Sequence, residues 1–106
     1  MFARSVYMHL KANCVAEFTE LIDDKIIPML RKHEGFQDEL AFIVPNGTEA
    51  VSITLWYRRE DAENYGRGGY SEALRTLAKV VEGSPQVQTH EVTNSTFHKI
   101  ANRAAA

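Results

Sequence analysis

The chain reads strand, helix, hairpin, helix, strand, with almost nothing left over. That order is its tightest constraint, because a βαββαβ arrangement of this length is the signature of a split βαβ, or ferredoxin-like, sandwich. The expected fold is therefore α+β, with one antiparallel sheet and both helical regions on one of its faces. The second face then needs a ligand or another copy of the chain. At 106 residues the whole makes one domain, expected over 1–97, with 98–106 as a flexible tail.

Local patterns support the order. Phe2 to Leu10 alternates, with Phe2, Val6, Met8 and Leu10 on one side, where Arg4 interrupts them, and Ala3, Ser5, Tyr7 and His9 on the other. Asn13 is placed to cap a helix whose stripe runs through Val15, Phe18, Ile22, Met29, Leu30 and His33. Pro28 lacks a backbone donor and predicts a bend or break there, and Gly35 suits the left-handed stop. Strand-like runs from Phe36 to Val44 and from Glu49 to Tyr57 meet at Pro45-Asn46-Gly47-Thr48. Asn-Gly predicts a type I′ hairpin turn. Ile43, Trp56 and Ala41 are expected to add apolar character to the uncovered face. Glu60 to Tyr65 opens a short acidic helix, which Gly66, Gly68 and Gly69 are expected to break into an adaptable loop. Tyr70, Leu74, Leu77 and Val81 mark a further amphipathic helix, with Gly83-Ser84-Pro85 as its stop and a polar last strand from Val87 to Phe97.

Composition narrows the partners. A formal net charge of −2 gives no basic stripe for nucleic acid or an anionic membrane. An RNA-recognition module of this topology would need exposed aromatics among basic residues, whereas Val51 to Tyr57 is apolar with Ser and Thr. Cys14 is the single cysteine, so neither an internal disulfide nor a multi-thiolate metal site is expected. His9, His33, His90 and His98 are too scattered for a metal motif. With no apolar run of about 20 residues and no leader-like start, a cytoplasmic location is the expectation.

The run Leu10-Lys11-Ala12-Asn13, then Glu17-Phe18, then Pro28 through Gly35-Phe36 resembles the antibiotic biosynthesis monooxygenase group of dimeric α+β barrels. So does Leu55-Trp56-Tyr57-Arg58-Arg59-Glu60-Asp61-Ala62-Glu63-Asn64-Tyr65, and Ser84-Pro85 with the Val87 to Val92 strand matches the group's C-terminal end. The resemblance spans roughly 2 to 95. It implies a homodimer whose sheets pack into one barrel, and oxidation of quinols or polyketide aromatics by oxygen with no cofactor. The haem-degrading branch is disfavoured, because its first-strand Asn and second-helix Trp–His pair fall on Val6, Tyr65 and about Arg75.

Two functional classes follow. In one, a cofactor-independent monooxygenase binds a small phenol or quinol against Trp56, Tyr65, Tyr70 and Tyr7, with His9 as candidate base in a dry aromatic pocket. In the other, a non-catalytic homodimer binds a small ligand on the same fold. The pocket is expected between the sheet and the second helical region, with Gly66 to Gly69 as its rim. The ordinary alternatives are that Trp56 is a core anchor and that Arg4 pairs with a carboxylate such as Glu39 or Glu91.

Overall fold

The computed structural model describes residues 1–100. Four strands form one sheet in the order β2-β3-β1-β4: β1 (Phe2–Leu10), β2 (Phe36–Ile43), β3 (Glu49–Trp56) and β4 (Val81–Glu91). Every neighbouring pair is antiparallel, and β3 separates β1 from β2, which is the split βαβ arrangement. The helical segments α1 (Val15–Leu21), α2 (Ile27–Leu30), α3 (Arg59–Arg67) and α4 (Gly69–Leu77) complete the α+β fold. No helix among the described residues is long and apolar enough to cross a membrane.

The first helical region runs unbroken across the expected discontinuity. Between α1 and α2, residues Ile22–Ile26 widen into a π turn, in which the Ile27 N–H reaches the Ile22 carbonyl five residues back. Pro28, one residue further on, has no N–H to offer the ordinary ladder. The missing donor is thus absorbed by a wider turn instead of a break. Phe18, Ile22, Ile26 and Leu30 are buried along this region. Asn13 is not the cap: it sits at φ 59, and Cys14 occupies the N-cap position without a side-chain hydrogen bond.

The hairpin forms where Asn46-Gly47 lies, but its turn is not type I′. Only Gly47 has positive φ, and its N–H donates to the Val44 carbonyl at 2.7 Å. Asn46 Oδ1 instead accepts from the Thr48 N–H at 3.0 Å and from the Thr48 hydroxyl at 2.8 Å. An Asx-type bond of this kind stabilises a turn as effectively as a backbone one.

Three further expectations are corrected. The glycines do not form a loop: Gly66 lies inside α3, Gly69 begins α4, and only Gly68 interrupts, at φ −123, ψ −83. Gly69 is buried so tightly that a Cβ there would stand 2.4 Å from His33 Nε2 and 2.9 Å from Tyr65 Cδ1. Gly83-Ser84-Pro85 lies within β4, where two steps along β1 (Tyr7 to His9) are matched by four along β4 (Gln86 to Glu82). Such a bulge, like a proline, is tolerated because β4 is an edge strand.

The third correction concerns the sheet faces. The register sets Phe2, Arg4, Val6 and Met8 of β1 on the side of Ala50, Ser52, Thr54 and Trp56. Ala41 and Ile43 pair with Ser52 and Ala50, so with Trp56 they belong to the helix-covered face. The uncovered face is apolar through other residues: Leu40 and Phe42, both exposed, with Val51, Ile53 and Leu55 opposite them. His98 adds to that side. Its ring nitrogen meets the Asp38 carboxylate, and Ser95 Oγ accepts the His98 N–H at 3.0 Å. The first residue of the expected tail is therefore tied to β2, and 101–106 lie outside the described residues.

Candidate functional site

Between the helix-covered face and α3–α4 lies a cavity of about 30 Å³. Its polar lining is Arg4, Ser52, Thr54, Tyr65 and Tyr70, and aliphatic side chains from β1, the first helical region and α4 supply the rest. That volume holds about one or two water molecules. A second pocket of about 280 Å³, beneath the β4 bulge, shares Met8, Leu74 and Leu77 with it as common wall. Together they reach the roughly 300 Å³ at which small-ligand sites begin. A methionine, with three rotatable bonds, is the side chain best suited to move out of such a partition.

Alternation on β1 puts Arg4 among core residues, where it is 7% exposed. The guanidinium carbon lies 4.3 Å from the centre of the Tyr70 ring and 5.4 Å from that of Tyr65. Gly66 lies against the guanidinium, where a Cβ would stand 3.6 Å from Arg4 Nε, an ordinary contact distance. Burial pulls the Arg4 pKa down, and the fields of Tyr65 and Tyr70 offset this only in part. Burial also pushes Tyr65 up to about 12, against the pull of Arg4, and raises Tyr70 in the same way. Both phenols are therefore neutral donors at ordinary pH.

Trp56 supports the site without entering it. It is fully buried, stacks on Tyr65 with ring centres 5.0 Å apart, and donates from Nε1 to Thr54 Oγ1 at 2.9 Å. With its lone pair so engaged, the Thr54 hydroxyl keeps its proton for another acceptor. Ser52 Oγ donates to Glu39 Oε2 at 2.7 Å. Burial raises the Glu39 pKa, the Ser52 bond lowers it, and Asp23 raises it again. A carboxylate is thus coupled to the cavity wall through one hydroxyl.

His9 and Tyr7 lie elsewhere. Both project from the uncovered face, where the Tyr7 hydroxyl donates to Glu49 and His9 Nδ1 is 3.9 Å from the same carboxylate. The two rings meet edge to face at 5.3 Å. The structure thus brings Tyr65 and Tyr70 together, places Trp56 directly behind them, and separates Tyr7 and His9 by the thickness of the sheet. The expected pairing of Arg4 with Glu39 or Glu91 is not made: among the described residues no carboxylate lies within 4.0 Å of Arg4. Arg4, Ser52, Thr54 and Glu39 were absent from the expected site. Their signal was present in part, since Arg4 falls on the apolar side of its strand. Among the described residues no three His, Cys, Asp or Glu side chains converge as a metal site would require.

No family model matches the chain, and no curated protein matches it. Solved structures do. A monooxygenase from the gene ActVA-Orf6 of Streptomyces coelicolor, determined with the ligand nanaomycin D, superimposes with a TM-score of 0.73 at 18% identity, covering 92% of each chain. SnoaB, a cofactor-independent oxygenase from Streptomyces nogalater, gives 0.72 at 10% identity over 92% of this chain and 97% of its own. NE2512, a protein of unknown function from Nitrosomonas europaea, gives 0.74 at 13% identity, covering 92% of this chain and 94% of its own. The chain has the ferredoxin-like fold that these proteins share.

Proposed function

We propose that this protein is a cofactor-independent monooxygenase of the antibiotic biosynthesis type, acting as a homodimer on a small aromatic phenol or quinol. The observation that carries the reading is the cavity itself, where Tyr65 and Tyr70 face Arg4, Ser52 and Thr54 across a narrow space. Two proteins of the same fold are oxygenases, which supports it.

The chemistry follows from these groups. The substrate lies against Tyr70 once Met8 and Leu74 have moved aside. Its hydroxyl proton passes to Ser52 Oγ as Ser52 hands its own to Glu39, whose raised pKa makes the carboxylate a stronger base. The Thr54 hydroxyl and Arg4 stabilise the resulting phenolate. The electron-rich ring gives an electron to dioxygen, the two radicals join at a ring C–H carbon, and the O–O bond then breaks. That carbon becomes a carbonyl, the second oxygen leaves as water, and the phenol has become a quinone. The sheet holds His9 away from this path, so His9 has no part in the step. The second copy covers Phe42 and Val51 and the parts of Leu40, Ile53 and Leu55 that residues 94–100, which line a pocket with them, leave open, since an exposed apolar face is rare in a monomer.

Oxygen uptake with 1-naphthol or a hydroquinone tests the reading. Uptake is expected in the wild type, to fall at least tenfold in Glu39→Gln, and to persist in His9→Ala. Saturable binding of these phenols with no uptake would replace the enzyme by the non-catalytic ligand-binding dimer.

A further inference from the structure

Arg4 carries a charge that nothing in the described chain neutralises. It is more than nine-tenths buried, with no carboxylate within 4.0 Å and no hydrogen bond to a described residue. A buried ion typically loses several kcal/mol of hydration. Its two aromatic contacts return part of that loss, and no anion or hydrogen-bond acceptor among the described residues supplies the rest. Its place is also specific. Arg4 lines the cavity beside Thr54, whose hydroxyl proton is free because the oxygen already accepts from Trp56. Arg4 and Thr54 thus present donors to one narrow space whose remaining lining is mostly apolar, and the guanidinium keeps only slight contact with solvent.

We infer that Arg4 and Thr54 form a receptor for the oxyanion of a planar organic anion, an aromatic carboxylate or a phenolate, whose ring seats against Tyr70 and the aliphatic wall once Met8 and Leu74 have moved aside and joined the two pockets. A guanidinium binds such a group through two parallel N–H bonds, which fixes orientation as well as charge. The inference rests on the reading of this cavity as the ligand site and adds the charge of the ligand. It does not require the chemical step, so binding is measured without oxygen and its outcome is separate from that of oxygen uptake.

The experiment is anaerobic calorimetric titration of the full chain with benzoate, its neutral counterpart benzamide, and 4-nitrophenol, which ionises near neutral pH. Wild type is expected to bind at least one anion tenfold or more tighter than benzamide. Benzoate binding alone assigns a carboxylate. Binding of 4-nitrophenol that strengthens as it ionises assigns a phenolate. In Arg4→Gln the anion preference falls to within about twofold, while Arg4→Lys keeps part of it. Thermal melts of the ligand-free proteins give a second readout: Arg4→Met, which fills the space without charge, melts at or above wild type. Equal affinity for acid and amide, an unchanged preference in Arg4→Gln, or lower melting of both Arg4→Gln and Arg4→Met would overturn the proposal.

Discussion

Gly35 and Asp61 provide a calculation that can be checked to within a kcal/mol. Gly35 turns the chain from the first helical region into β2 at φ +80, and its carbonyl accepts the Tyr57 N–H at 2.7 Å. A Cβ built there stands 2.0 Å from Asp61 Oδ2, 2.2 Å from Cγ and 2.6 Å from Cβ. Asp61 has no room to give way freely, because its buried carboxylate caps α3 by accepting the Arg58 N–H at 3.2 Å. Gly35→Ala therefore incurs a left-handed backbone of about 1–2 kcal/mol, a lost cap of about 1 and overpacking of about 1–3. The total is about 3–6 kcal/mol. Asp61→Ala alone loses the cap and its weak, solvent-facing pair with Arg58, about 1–2 kcal/mol. In the double variant the overlap vanishes and the cap is lost only once. Its destabilisation should then be smaller than the sum of the singles by about 2–4 kcal/mol. Urea denaturation of the four proteins measures the cycle. Additivity to within about 0.5 kcal/mol would refute the close approach and the reasoning built on it.

Two other outcomes are expected. Tyr65 holds its proton up to about 12 in the fold but only to 10.0 when unfolded, so its stabilising contribution is complete below 10.0 and lost as pH rises toward 12. Alkaline unfolding monitored by circular dichroism should be steeper across that window in wild type than in Tyr65→Phe, and identical slopes would contradict the burial of this phenol. Sedimentation equilibrium at micromolar concentration should give a dimer, since an obligate interface over the uncovered face would bury upward of about 2,000 Å². Phe42→Asp with Leu40→Asp should give a monomer, and a monomeric wild type would remove the dimer from the proposal.

The element order was legible because local chemistry and global topology agree: Asn46-Gly47 closes a hairpin whichever turn type is used. The faces of β3 were not legible, and the reason is physical. The side against the helices carries Ser52 and Thr54 where a cavity with a buried arginine needs hydroxyls, whereas Val51, Ile53 and Leu55 look outward. The usual rule, apolar inward, therefore points the wrong way on this strand. Gly66 and Gly69 read as loop residues because a lack of side chain signals flexibility or close packing equally well in sequence. Here Gly69 serves close packing, against His33 and Tyr65, while Gly66 simply continues α3. Glu39 and Ser52 are 13 positions apart, and only the pairing of β2 with β3 makes them neighbours.

The π turn also settles the phase of the first helical region. Phe18, Ile22, Ile26 and Leu30 are all buried and recur every fourth residue. An α-helix advances roughly 100° per residue, so on a regular helix a fourth-residue stripe winds steadily around the axis and leaves the sheet within a few turns. The wider turn over Ile22–Ile26 advances less per residue, which winds the stripe back and keeps all four side chains on the core. The segment acts as a one-residue phase correction. Deleting Lys25 would let the helix close into regular α geometry at the cost of rotating Phe18 and everything before it away from the sheet, a register error rather than a lost contact.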